Sequence, residues 1–165
     1  MSFITFIIRT SSSHMKTALA AFSAICLSLA FAVPPVPAHE GATGVVKERM
    51  MMMDGSKKSV KALARIFKGQ DGYEAGKVAA LARDLERSSG KHLTSLFPEG
   101  SLEQPSEASE EIWDDWEDFI RYADDLDKAA RQLAENAGSG KDASEDAFRD
   151  VVKACRGCHD EFRED

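Results

Sequence analysis

The sequence predicts an all-α protein, an antiparallel four-helix bundle running up-down-up-down. Apolar residues recur at helical spacing in four blocks, no stretch alternates in the manner of a strand, and Gly- or Pro-containing breaks separate the blocks. In the first block Val46, Met50, Met53, Val60, Ala64 and Phe67 keep one face, and Gly69 and Gly72 close it. The second block starts near Glu74, carries Val78, Leu81, Leu85 and Leu96, and stops before Pro98. Residues 97–105 read as a loop, after which Ser106 or Ser109 is a natural cap for a helix with acids in its first turn. The third block is a long stripe from Ile112 through Trp116, Phe119, Ala123, Leu126, Ala130 and Leu133 to Ala137, broken by Gly138-Ser139-Gly140. In the fourth, Asp142 and Glu145 have the spacing of a capping box, and Phe148, Val151, Val152, Cys155 and Phe162 are the apolar positions.

The first 38 residues do not belong to this bundle. Met15-Lys16 opens an apolar run to Val33, and Val36-Pro37-Ala38 supplies small residues before a cleavage point, the pattern of an export signal. The expectation is a cleaved segment 1–38 and a mature four-helix domain over 39–165, located in the periplasm. Met15 is an alternative initiator, and retention of the segment as a membrane anchor is the competing reading. The chain carries a net charge of −7, and loss of Arg9 and Lys16 takes this to −9. So acidic a protein is a poor nucleic-acid binder. Cys26 lies in the apolar segment and leaves with it, so that Cys155 and Cys158 are the mature thiols.

Those two cysteines stand in Cys155-Arg156-Gly157-Cys158-His159, the C-x-x-C-H signal for covalent attachment of a c-type haem. On one helical turn two thiols three residues apart reach the two vinyl groups of a single porphyrin, and the following histidine presents a nitrogen to the iron. A redox dithiol expects a βαβ setting that the periodicity does not provide. Zinc needs a third or fourth ligand, and no second C-x-x-C exists; His92 could in principle help, but a helix-surface histidine is its ordinary reading. A chance match in a core helix is the remaining alternative.

The motif sits at the end of the last of four helices, in Cys-Arg-Gly-Cys-His-Asp-Glu-Phe-Arg from Cys155 to Arg163. With Lys68-Gly69 and Tyr73 after the first helix and Glu111-Ile112-Trp113 near the third, the chain resembles the class II cytochromes c, the family of cytochrome c′ and its low-spin c-556-type relatives. The resemblance implies one covalent haem (iron) inside the bundle near one end, with His159 as axial ligand. It implies that the distal position on the first helix falls on Met53, that Arg49 lies near it, and that Arg163 lies near the proximal histidine. Because some relatives pair, a homodimer is an open alternative to a monomer.

Four methionines run from Met50 to Met53, and helical rotation predicts that Met50 and Met53 share the inward stripe whereas Met51 points outward. Met50 reads as core filler, and the family position makes Met53 the candidate iron ligand. Trp113, Trp116 and Phe119 read as core. The expected function is electron transfer to and from redox partner proteins, without enzymatic activity. The alternative is a five-coordinate protein that binds nitric oxide or carbon monoxide. A peroxidase-like role lacks a distal acid–base group other than Arg49. Lys57, Lys58, Lys61, Arg65 and Lys68 form a basic run that opposes the acidic residues 107–127 and suits the steering of a partner.

Overall fold

The computed structural model describes residues 41–164; the export segment, its cleavage site and Cys26 lie outside them. The described chain folds as α1 (Gly44–Phe67), α2 (Ala75–Arg87), α3 (Gly90–Ser95), α4 (Glu111–Asp114), α5 (Trp116–Asn136) and α6 (Lys141–Phe162), with a 3₁₀ turn at Ala137–Ser139. No strand occurs among the described residues; Ala108 and Arg163 form an isolated antiparallel bridge. The long helices α1, α2, α5 and α6 are the bundle, each packed on the next in chain order, with α6 closing the ring loosely against α1. None of the described helices is long and apolar enough to cross a membrane.

Two expected helices are interrupted. The second block breaks at Ser88-Ser89, where both serine hydroxyls turn back to donate to carbonyls of the preceding turn, and Gly90 at φ +53° redirects the chain into α3. The third block starts as the single turn α4, kinks at Asp115 and resumes as α5. Ser109 does accept from the Glu111 N–H at 3.2 Å, as a cap should, whereas the Ser106 hydroxyl is engaged by Arg49. The capping box at Asp142 and Glu145 does not form. Gly140, at φ +99°, precedes α6, and Glu145 pairs with Arg149 instead. Gly69, at φ +72°, ends α1 in the left-handed conformation, with Gln70 N–H donating to Arg65 O.

The core divides into two clusters along the bundle. At one end Leu63, Ile66, Val78, Leu85, Ala130, Leu133 and Val151 pack tightly, and Phe67 of α1 stacks on Phe148 of α6 with ring centroids 4.7 Å apart. Truncating one of these leucines to alanine is worth about 2–5 kcal/mol by the usual cavity cost. At the other end Leu93, Leu96, Phe97, Ile112, Phe119, Ala123 and Phe162 form a more aromatic cluster. Half-buried Val45, Met52, Met53, Trp113, Trp116, Tyr122 and Cys158 lean on this second cluster without being covered.

The buried arc of α1 differs from the expected stripe. Val46, Arg49, Ser59, Leu63 and Ile66 are the buried residues, whereas Met50, Met53, Val60, Ala64 and Phe67 are only half-buried. Arg49 and Ser59 are polar members of the buried face, so the apolar residues alone mark a face set to one side of it. At about 100° per residue Met53 stands about 40° to one side of Arg49 and Met52 about 60° to the other, with Met51 about 160° away. Both Met52 and Met53 therefore reach the second cluster, which corrects the expectation that Met50 was the inward companion of Met53; Met51 is exposed as expected.

Candidate haem-binding site

Cys155, Cys158 and His159 occupy the last turns of α6, where the amphipathic pattern of Ala147, Val151, Ala154 and Phe162 buries one side of the helix. The cysteines are both half-buried free thiols flanking that buried side. Cys155 packs against the first cluster and Cys158 against the second, so the pair straddles the junction between them. Burial pushes the Cys155 thiol up, and it pushes Cys158 up to about 12, with Cys155 and Glu161 adding to it. Such thiols stay protonated near neutral pH, opposite to the low-pKa thiolate of a redox-active C-x-x-C. Among the described residues no three His, Cys, Asp or Glu side chains converge as a zinc site requires.

His159 lies on the solvent side of the same turn. The protein around it still desolvates the ring and holds its pKa below the ordinary value, and the charge of Arg163 adds to this while Asp160 and Glu107 oppose it. The neutral imidazole so favoured is the form that ligates a metal. Helix α6 ends at Phe162, and Arg163 is extended (φ −122°, ψ 130°), so it does not continue the helical face of His159 as the one-turn spacing suggested. The reason is a strap: Ser109 N–H donates to Phe162 O, Glu164 N–H donates to Glu107 O, and the Arg163 guanidinium pairs with Glu107 at 2.9 Å. Arg163 and Glu107 thus both bear on the imidazole. Glu107 carries no sequence signal for this, because a pairing across more than fifty residues brings it there.

Arg49 is buried and is engaged by the long loop before α4. Its Nε and Nη2 donate to Leu96 O, Nη2 also reaches Ser101 O and Oγ, and Nη1 donates to Ser106 Oγ. The guanidinium lies 3.9 Å above the Phe97 ring. Burial lowers its pKa and the charge of Glu103 opposes the shift, which leaves an arginine charged at any ordinary pH. Among the described residues Ser106 Oγ is the acceptor that Nη1 meets, which leaves its second N–H for a further one. Arg49→Leu should therefore leave several buried acceptors of this loop unpaired. We expect a loss of about 3 kcal/mol in urea unfolding of the holoprotein, with Arg49→Lys recovering less than half because it lacks the fork.

Tyr122 of α5 and Gly157 form a contact that helical periodicity does not show, since Tyr122 stands off the α5 stripe. A Cβ at Gly157 would lie 2.8 Å from Tyr122 Cε1, and the same ring meets Phe162 edge-on at 6.0 Å. Alanine is the better helix former by about 1 kcal/mol, whereas overpacking costs about 1–3 kcal/mol. Gly157→Ala should therefore destabilise the protein, and in a Tyr122→Ala background the same change should stabilise it. Chemical denaturation of the four variants of this cycle reads the sign directly. Phe119 is core as expected; Trp113 and Trp116 are half-buried at the rim, with Trp113 Nε1 donating to Phe97 O at 3.1 Å.

These residues fit a covalently held porphyrin. Two half-buried thiols one turn apart, a neighbouring imidazole whose neutral form is favoured and a set of half-covered apolar and aromatic side chains meet at one end of the bundle, where a large flat apolar group would complete their burial.

The family described as Cytochrome C′ matches residues 44–163 of this chain. A cytochrome c-556 of Agrobacterium tumefaciens strain II Chrys is 31% identical over 120 residues, covering 73% of this chain and 97% of that protein. A cytochrome c′ of Pararhodospirillum photometricum is 34% identical over 124 residues, covering 72% and 95%. The fold is similar to that of a solved nitric oxide complex of a mutant cytochrome c prime from Alcaligenes xylosoxidans, with a TM-score of 0.65 at 25% identity over 73% of this chain and 94% of that one. With the C-x-x-C-H helix placed on a four-helix bundle as this match requires, the chain belongs to the cytochrome c′ family of class II c-type cytochromes and carries a covalently bound c-type haem.

Proposed function

We propose that this cytochrome is an electron-transfer protein whose haem iron would be held by His159 and Met53. The observation that carries the reading is the convergence of Met53 of α1 and Cys158 of α6 on one apolar cluster, beside the imidazole-bearing turn. A thioether is a soft neutral ligand suited to ferrous iron and keeps the same ligand set in both oxidation states, so little has to rearrange. The haem supplies the one-electron redox change. Cys155 and Cys158 tether it, His159 donates a lone pair, the apolar cluster excludes water, and Arg49 holds the loop that closes this end. Arg163 sets charge beside His159, and Arg49 keeps one N–H in reserve for an acceptor on the group. The absorption spectrum of the purified holoprotein tests the reading: low-spin bands in both oxidation states are expected, with slow and weak uptake of carbon monoxide.

A second reading is a five-coordinate gas-binding protein, supported by the similarity to the Alcaligenes xylosoxidans protein solved with nitric oxide and to a relative named cytochrome c′. A high-spin spectrum with immediate carbon monoxide binding selects it and removes Met53 from the iron.

The proposal places the mature protein in the periplasm after removal of residues 1–38. Protein from the native host should begin at His39 within a few residues by N-terminal sequencing; an intact apolar segment would instead make it a membrane-anchored carrier.

A further inference from the structure

Helices α1 and α6 stack at Phe67 and Phe148 and then leave an open groove of about 770 Å³ between them. Its floor is apolar, with Val60 and Ala64 facing Phe148 and Val152, and Val152 is 37% exposed. Its rim is mainly basic. Lys68 stands on α1, and Arg149, Lys153 and Arg156 stand on α6, with Asp160 as the acidic residue among the lining side chains. Residues 57, 61, 64 and 68 follow the i, i+4, i+7, i+11 progression of one helical row, so Lys57 and Lys61 extend the α1 rim. Residues 149, 153, 156 and 160 form the matching row on α6. Two rows of a bundle whose first and last helices are antiparallel thus face each other.

Charge runs are ordinarily solvated helix faces. Two features set this one apart. First, it is basic on a chain of net charge −7, and among the described residues Lys57, Lys61, Lys68, Lys153 and Arg156 make no ion pair, whereas Arg149 is held by Glu145 and Asp146. Second, the groove runs into the haem-attachment turn, because Gly157 lines it. A dense acidic run lies away from it, on α4 and the start of α5, and Asp160 is the acid that lines the groove.

We propose that the groove rimmed by Lys57, Lys61, Lys68, Lys153 and Arg156 is the docking surface for the acidic face of a redox partner protein. This rests on the electron-carrier reading and names the chemistry of its partner. With a screening length of about 8 Å at physiological ionic strength, an approaching anionic surface responds to the local cations rather than to the distant acids. The apolar floor gives the encounter a dry centre, and docking there sets the partner beside residues 155–159. One electron crosses and no atoms move; as one protein is oxidised the other is reduced.

The test uses the holoprotein and deca-glutamate as an acidic probe. Amide resonances of residues 57–68 and 149–160 should shift on titration, and the double variant Lys61→Glu/Lys153→Glu should abolish the shifts while Lys61→Gln/Lys153→Gln weakens them. Oxidation of the ferrous protein by ferricyanide should slow by about tenfold between low and high salt, opposite to the trend that a net-negative protein gives with an anion. A rate that rises with salt, or amide shifts confined to other surfaces, overturns the proposal. Binding to phosphatidylglycerol vesicles without any response to deca-glutamate also overturns it, in favour of a membrane surface. The spectrum of the same samples reads the Met53 ligand separately. A six-coordinate protein with the wrong salt trend loses the docking site alone, and a five-coordinate one with the expected shifts loses the ligand alone.

Discussion

Met53→Leu should turn a low-spin iron high-spin and five-coordinate, with no comparable effect from leucine at either neighbouring position. Met51 is 57% exposed and points away from the bundle, so Met51→Leu should leave the spectrum and the carbon monoxide affinity unchanged. Met52 is the more informative control because it reaches the same apolar cluster as Met53. Met52→Leu should cost under about 1.5 kcal/mol in stability as a volume-conserving swap and leave the iron low-spin. If thioether ligation keeps the open form to about 1% of molecules, removing it raises the apparent carbon monoxide affinity about 100-fold. Should Met52→Leu produce the high-spin species instead, the ligand is Met52, and the helical register inferred from family position is off by one residue.

Replacing both Cys155 and Cys158 by alanine should abolish covalent haem. The unmutated mature chain is expected to carry one haem per polypeptide that survives acid–acetone extraction, whereas the double variant should have the mass of the bare polypeptide. Each single variant should keep one thioether and so retain haem on extraction. Because a ligand present at 1,000 times its dissociation constant stabilises a fold by about 4 kcal/mol, loss of the tethered group should lower the unfolding temperature markedly. The loss should fall on the aromatic end of the bundle, where Met52, Met53, Tyr122 and Cys158 are left half-covered. The end built on Leu63, Leu85 and Leu133 needs no cofactor to close and should melt last. Extraction that strips haem from the unmutated protein would refute the thioether assignment.

The C-x-x-C-H turn proposed for attachment was legible in five adjacent residues because its geometry is local: one helical turn sets the spacing of the two thiols, and the imidazole follows in sequence. The four-helix architecture was readable for a similar reason, since the stripe from Ile112 to Ala137 and the blocks around it state which faces must be buried. The interruptions at Ser88-Ser89 and Asp115 were not, because helical periodicity continues across a kink and only the packing of α3 and α4 against α5 selects one.

What surrounds the site was decided by tertiary contacts. Arg49 stands in a block read by its apolar members, yet it is the buried axis of that face, because four oxygens of a loop some fifty residues away converge on its guanidinium. Arg163 leaves the helix that its spacing from His159 implied, because the strand-like exchange with residues 107–109 captures the backbone first. Glu107 and Tyr122 carry no local signal at all, and they reach His159 and Gly157 through chain folding alone. By itself the sequence determined the helices and the turn that carries the C-x-x-C-H residues, since each depends on residues within a few turns of one another. Only the tertiary structure decided which polar groups are buried, where helices stop and which charges face the imidazole. Those outcomes depend on hydrogen-bond partners and distances between segments remote in the chain.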